Sequence, residues 1–298
     1  MSNPVSVSTF ESADWSGALP AHACDSLEQG AVLRFPQLRF ALGPDERALI
    51  VGGLSVWRTK NISLDPATGR LSGAVPGEPG EVLLQGMMGR FADVARALVL
   101  AIAPDYRVAL TTGRTSFRPV EIAGRANPDW RSDDTRLHID AFPATPTGGA
   151  RILRVFANVD PQGRPRIWRL GGSFEAMAAR YLPRIRPPLP GSAALLHASG
   201  RTRTRRSPYD HYMLRLHDMA KSDPAYQAGQ PQSEIAFGPG VWVVFSDQVP
   251  HAAMAGCNAL ETTFYLPPGA QRHPALSPLK VLERMTRRCL AGARDCLP

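Results

Sequence analysis

Apolar residues recur at helical spacing over Glu81 to Ala103, where Val82, Leu83, Met87, Phe91, Val94, Ala95, Leu98 and Ile102 precede Pro104. The spacing predicts one long helix with an apolar stripe for packing on a sheet, stopped by a proline that has no N–H to offer. Ahead of it, Pro44 to Gly53 opens on Asp45 and Glu46 and closes on paired glycines, which predicts a short helix. Leu54 to Leu64 reads as extended, and Asp65, Pro66, Gly69 and Gly73 mark turns.

Beyond Pro104 the period changes. Short runs rich in β-branched and aromatic residues cover Tyr106 to Thr112, Leu137 to Ala141, Ile152 to Val159, Ile235 to Phe237, Val241 to Phe245 and Ala259 to Leu266. Gly, Pro and Asn separate them, a texture that predicts an antiparallel sandwich or jelly roll. Tyr209, Met213, Leu216 and Ala220 place a helix among these strands, and the four prolines of Pro183 to Pro190 make a loop. The predicted organisation is an N-terminal α/β extension over 1–104, a β core over 105–270 with an inserted helix near 209–222, and a helical tail over 271–298, all one integrated domain.

With 298 residues, 44% of them hydrophobic and 20% charged, the chain is neither a disordered segment nor a small disulfide scaffold. The apolar run Ala97 to Ala103 falls far short of the roughly 20 residues of a membrane span. Met1 to Phe10 has neither a basic flank nor an apolar stretch, so no secretory signal is expected and the chain is placed in the cytoplasm. Cys24, Cys257, Cys289 and Cys296 form no Cys-x-x-Cys motif and read as free thiols, with a Cys289–Cys296 pair near the C-terminus as the alternative.

The net charge of +8 is concentrated. Twelve Arg and no Lys lie between Arg151 and Asp210, opposed only by Asp160, Glu175 and Asp210. Guanidinium forks match carboxylates and phosphates, so this stretch suits an acidic ligand, an anionic lipid surface or nucleic acid. The basic run Arg201 to Arg206 is accompanied by no helix-turn-helix, RNA-recognition signature or aromatic stacking series, so no nucleic-acid partner is expected. Ser207 and Ser246 lack a nucleophile elbow.

His138-Ile139-Asp140 carries the sharpest chemistry, because strand alternation turns His138 and Asp140 to one face. His251, 113 residues downstream after the apolar run Val241 to Phe245, is the candidate third ligand. Singly these residues read as a surface strand pair and a satisfied turn histidine. Together, in a barrel that brings distant strands side by side, they make a two-His, one-carboxylate face that suits Fe(II) and leaves positions for a bidentate co-substrate and O2. Such sites commonly use 2-oxoglutarate, which needs a buried cation. Arg154, flanked by apolar residues on the next strand, is the first choice, with a structural ion pair to an internal acid as its alternative, and Asn158 lies on the same face.

The chain resembles the iron and 2-oxoglutarate oxygenases, and more closely the Kdo hydroxylase family; Kdo is 3-deoxy-D-manno-oct-2-ulosonic acid. The resemblance rests on Lys60-Asn61-Ile62-Ser63-Leu64-Asp65 with Gly69 and Gly73, Leu137-His138-Ile139-Asp140-Ala141-Phe142, Arg151-Ile152-Leu153-Arg154-Val155-Phe156, Tyr209-Asp210-His211-Tyr212-Met213-Leu214, and Ser246-Asp247-Gln248-Val249-Pro250-His251. It implies a mainly β fold with α extensions, a double-stranded β-helix of the cupin-like jelly-roll type supported by helices. It implies Fe(II) on His138, Asp140 and His251, 2-oxoglutarate on Arg154, and hydroxylation of Kdo at C3 to give Ko in the Kdo-lipid A inner core of lipopolysaccharide. Arg166, Arg169, Arg201 and Arg203 are the candidate contacts for the Kdo carboxylate and lipid A phosphates, with peripheral contact at the cytoplasmic face of the inner membrane. One departure stands out: many oxygenases place an Arg about ten residues after the distal His, where this chain has Glu261 and Thr262. The rival readings are a related oxygenase acting on a protein or another small molecule, and a non-catalytic anion-binding jelly roll.

Overall fold

The computed structural model describes residues 4–52, 61–75, 77, 79–125, 129–229 and 231–291. In its first third the chain forms β1 (Val7–Thr9), α1 (His22–Glu28), β2 (Val32–Phe35), α2 (Pro44–Val51), β3 (Ile62–Leu64), β4 (Leu71–Ser72) and α3 (Pro79–Ile102). Then come β5 (Thr111–Arg118), β6 (Arg151–Asn158), β7 (Arg166–Leu170), α4 (Phe174–Tyr181), α5 (Ser192–Ala198), α6 (Pro208–Ser222) and α7 (Pro224–Gly229). The last are β8 (Ser233–Phe237), β9 (Gly240–Phe245), β10 (His251–Ala255), β11 (Ala259–Leu266) and α8 (Pro278–Thr286).

The strands make two sheets, one of order β1-β2-β9-β6-β11-β5-β3-β4 and a smaller one of order β10-β7-β8. All pairs are antiparallel except β1 with β2. This is the mainly β, helix-supported jelly roll that the sequence predicts. The central strands β6 and β9 are buried along their whole length, so their two faces do different work. Leu153, Val155 and Ala157 of β6, with Val241, Val243 and Phe245 of β9, pack against the stripe of α3 that carries Leu84, Met88, Phe91, Ala95 and Leu98. The alternate residues Phe156, Trp242 and Val244 face the small sheet and meet Trp168, Leu170 and Phe237 there. Arg154, two residues before Phe156, therefore points between the sheets.

Local chemistry explains the helix ends. Gly43 precedes α2 with Pro44 at its first turn, and the Glu46 carboxylate accepts the Gly43 N–H at 2.8 Å. Ser207 and Asp210 form a reciprocal capping box at α6. Asp210 also accepts the N–H groups of Thr147 and Gly148 at 2.8 and 3.1 Å, which ties α6 to the loop after Asp140.

Several expectations need correction. Tyr106 to Thr112 is not one strand: Pro104–Val108 is a 3-10 turn, because the Tyr106 phenol is buried and donates to Glu28 of α1, and β5 starts only at Thr111. Leu137 to Ala141 makes a single bridge, His138 to His251, rather than a ladder. His251 opens β10 rather than sitting in a turn, and β7 is a further strand with buried Arg166 and Trp168. Of the extended stretch Leu54 to Leu64, 62–64 form β3, while 53–60, including Lys60, lie outside the described residues. Cys24 and Cys257 are free and buried, but Cys289 is disulfide-bonded, which corrects the free-thiol reading there, because a low cysteine count over a whole chain does not bear on any single thiol. Cys296 lies outside the described residues. Among the described residues no helix is long and apolar enough to cross a membrane.

Candidate metal centre and its arginine cluster

His138, Asp140 and His251 converge between the sheets, with one ligand atom from each lying within 4.8 Å of the others. Two backbone hydrogen bonds hold the histidines opposite each other, His138 N–H to His251 O at 3.0 Å and the reverse at 2.8 Å. The Asp140 N–H donates to Ser246 O at 2.8 Å, fixing the third ligand to the turn between β9 and β10. Alternation does the rest: Leu137 and Ile139 enter the cluster made with α4 and α6, and His138 and Asp140 turn the other way, toward the candidate metal centre.

Each imidazole has one nitrogen occupied. His138 Nδ1 lies 2.7 Å from Arg136 O and His251 Nδ1 lies 2.8 Å from Val249 O, so both rings donate from Nδ1 and present Nε2 to a metal. Burial holds both imidazoles below their ordinary pKa, helped at His138 by the neighbouring His251 ring. Burial also pushes the Asp140 carboxyl up, but the Arg154 guanidinium and both imidazoles overcome it and hold Asp140 well below the carboxylate range. Two neutral imidazoles and one ionised carboxylate, 5–8% exposed, are a donor set that fits Fe(II). Asp140 Oδ2 is buried without a hydrogen-bond partner.

Arg154 Nε lies 3.1 Å from that oxygen, misaligned for a hydrogen bond, and its other arm reaches Glu261 at 3.0 Å. Glu261 in turn binds Arg118 at 2.8 Å. The residue that stands where many oxygenases place an anchoring Arg is thus an acid on β11, gathering two cations from the flanking strands β6 and β5. Arg166 of β7 extends the cluster. It is 5% exposed, donates to Gly256 O at 3.0 Å, and burial together with the Arg118 charge pulls its pKa down to about 10. Trp168, two residues further on β7, stacks on His251 with centroids 5.0 Å apart, and its buried Nε1 has no hydrogen-bond partner. Three guanidiniums, Arg118, Arg154 and Arg166, face Asp140 and Glu261, with Asp134 acting on Arg118 and Arg166 and Glu121 on Arg166 as well, and the Trp168 indole adds a spare donor beside the triad.

A cavity of about 700 Å³ opens over this cluster. Arg118, Arg154 and Glu261 line it, along with Arg114, Arg203, Asp65 and Tyr265. Of the four arginines predicted to meet substrate, Arg203 lines the cavity. Arg166 lies in the buried cluster, Arg169 donates to Thr135 O at 3.0 Å, and Arg201 is exposed on the surface. Asn158 is committed locally: its amide donates to Arg164 O and Phe237 O and accepts the Asp160 N–H. Sequence reasoning passed over Arg114, Arg118 and Trp168, and also His217, whose ring on α6 lies edge-on to His138 at 5.4 Å.

A jelly roll with a buried two-His, one-carboxylate centre under an arginine cluster defines a class, the non-haem Fe(II), 2-oxoglutarate-dependent dioxygenases. The chain matches the 3-deoxy-D-manno-oct-2-ulosonic acid (Kdo) hydroxylase family over residues 13–289, and it belongs to that family. It is similar to crystal structures of the Kdo hydroxylase KdoO, a non-haem Fe(II) α-ketoglutarate-dependent dioxygenase. The complex with α-ketoglutarate and Fe(III) is 43% identical, with a TM-score of 0.92 over 98% of this chain and 99% of that one. The complex with cobalt(II) gives the same values, and the complex with succinate and Fe(III) is 42% identical with a TM-score of 0.91. No curated protein matches.

Proposed function

We propose that the chain hydroxylates Kdo at C3 to give Ko, acting on Kdo-bearing lipid A of the lipopolysaccharide inner core at the cytoplasmic face of the inner membrane. Fe(II) would be held by His138 Nε2, His251 Nε2 and the Asp140 carboxylate. The observation that carries this reading is the triad with both Nδ1 atoms tied to backbone carbonyls, set beside the buried guanidiniums of Arg154 and Arg166. Iron held there would supply the oxygen chemistry, in which one atom of O2 enters succinate as 2-oxoglutarate loses CO2 and the other converts one C–H bond of the sugar to C–OH.

The chain's own residues position the reactants and keep water out. Arg154 and Arg166, with the Trp168 Nε1–H, hold the carboxylates of 2-oxoglutarate through charge-assisted hydrogen bonds. Arg166 is the stronger anchor, because its described polar contact is one backbone carbonyl whereas Arg154 is already shared between Asp140 and Glu261. Arg114 and Arg203, on the wall of the cavity, meet the Kdo carboxylate. The near-complete burial of the triad limits side reactions with solvent.

The test is succinate formation from 2-oxoglutarate with Fe(II) and O2, with and without Kdo-bearing lipid A. Stimulation by the lipid, abolished in His251→Ala, is expected. Turnover that the lipid does not stimulate would remove Kdo as the substrate. Arg166→Ala and Arg154→Ala are each expected to raise the KM for 2-oxoglutarate by about tenfold or more while cobalt(II) binding persists. An unchanged KM in both would move the co-substrate elsewhere.

A further inference from the structure

Between Glu175 and Asp210 the chain has no acidic residue. Arg180 is paired with Asp223 at 2.9 Å, and six more arginines follow: Arg184, Arg186, Arg201, Arg203, Arg205 and Arg206. The first five of these are exposed, and among the described residues none makes an ion pair within 4.0 Å. Within the same stretch two leucines stand in solvent, Leu189 at 78% exposure and Leu195 at 71%. The Ser192 N–H binds Leu189 O at 3.1 Å, and Leu195 lies one turn along α5, so the two crown one short helix.

This patch adjoins the cavity. After α5 the Arg201 N–H turns back to Leu196 O at 3.0 Å, and the Arg203 N–H then binds Ala144 O at 2.9 Å. Arg206 donates to Pro143 O. The loop so gripped supplies Phe142, Thr145, Pro146 and Thr147 to the cavity wall, and Arg203 and Thr204 complete the wall themselves. One continuous stretch of chain therefore carries exposed leucines, unpaired guanidiniums and the rim of the active-site cavity.

We infer that 184–206 is the face by which the protein docks on an anionic bilayer, with Leu189 and Leu195 entering the headgroup boundary and the arginines around them meeting lipid phosphates. Apolar side chains ringed by cations match that surface in both respects, whereas a neutral protein partner would leave the guanidiniums unmatched. The bilayer supplies the substrate's acyl part and the cavity rim takes its sugar. The inference rests on the proposed lipid-borne substrate and adds where the enzyme meets it.

The experiment is co-sedimentation of the full chain with phosphatidylglycerol-containing vesicles and with pure phosphatidylcholine vesicles. It is run for wild type, Leu189→Gln/Leu195→Gln, Arg184→Gln/Arg186→Gln, and the exposed but distant control Val108→Gln. The expected result is at least tenfold stronger partitioning to the anionic vesicles, weakened about tenfold or more in both double variants and unchanged in the control. Turnover on a soluble, deacylated Kdo fragment is expected to stay at the wild-type level in the leucine double variant. Equal binding to both vesicle types, wild-type sedimentation of the leucine variant, or a dimer that this variant dissolves would each overturn the docking face. Loss of turnover on the soluble fragment in that variant would do the same. Anionic-vesicle binding without turnover of any Kdo substrate by wild type would instead remove the proposed function and leave the docking face standing.

Discussion

Arg151 opens β6 and is fully buried. Its Nε lies 2.8 Å from Asp247 Oδ2, one terminal nitrogen reaches Asp247 Oδ1 at 3.2 Å and Gln248 Oε1 at 2.6 Å, and its guanidinium stacks on Phe245 at 3.8 Å. Asp247 is 1% exposed and sits in the turn that connects β9 to His251. The same turn presents Ser246 O to Asp140. Arg151→Met removes the cation and leaves a buried carboxyl with no counter-charge, which costs about 3–5 kcal/mol. At about 2 °C per kcal/mol for a chain of this length, the melting temperature falls by roughly 6–10 °C.

Burial raises the Asp247 pKa even with Arg151 present, so without the cation the acid is driven toward its neutral form rather than tolerated as an anion. Arg151→Met/Asp247→Leu should therefore recover most of the loss, because an apolar pair in place of a buried ion pair is near neutral. The turn also sets ligand geometry, so the single variant should bind cobalt(II) about 10–100-fold more weakly, the scale of a lost supporting contact. Urea unfolding gives the stabilities, and a cobalt(II) titration gives the affinity. A single-variant loss below about 1 kcal/mol, or a double variant no more stable than Arg151→Met, would show that the pair does not lock this turn.

Three further outcomes follow from the same structure. His138→Ala and His251→Ala should each remain folded yet lose stoichiometric cobalt(II) by calorimetry, and metal retained at one equivalent in either would exclude that residue as a ligand. Gly256→Ala should destabilise by about 2 kcal/mol or more and raise the KM for 2-oxoglutarate, because φ there is +102° and a Cβ would lie 2.9 Å from Arg166 Cα and Pro165 O; wild-type stability and KM would refute the strain. Burial opposes ionisation of Glu46 and Asp160, but Arg90 and Arg164 respectively overcome it and hold both pKa values below the usual 4.5 and 3.8. Their stabilisation is complete above those values and is lost as pH falls through the lower folded ones, so to the decline that the buried neutral His138 and His251 begin below about pH 6.5 they should add a further fall in melting temperature below pH 4.5. A melting temperature that does not drop between pH 5 and pH 3 would contradict this.

What the sequence discloses about the site depends on whether a residue's neighbours are set by local geometry or by register. His138 and Asp140 are legible because alternation along extended backbone turns both to one side, and that holds even though 137–141 joins no ladder and makes one bridge. The strand that presents His251 is less legible, since His-Ala-Ala-Met-Ala has weak β propensity and is held by its pairing with β7. The arginine cluster lies beyond local rules altogether. Arg118 and Glu261 are 143 residues apart, and they meet because β11 lies between β5 and β6 with Glu261 opposite Ser116 and Phe156. Judged along the chain, Glu261 looks like the absence of a cation; judged across the sheet, it is the acid that keeps Arg118 and Arg154 buried together. His217 shows the same limit on a helix. Compared with His211 it shares no face and suggests nothing, while the contact that matters is tertiary, with His138 and across elements that no periodicity links. The proposed ligands of this centre are therefore written in the local pattern, but the charge around them is written in the strand order.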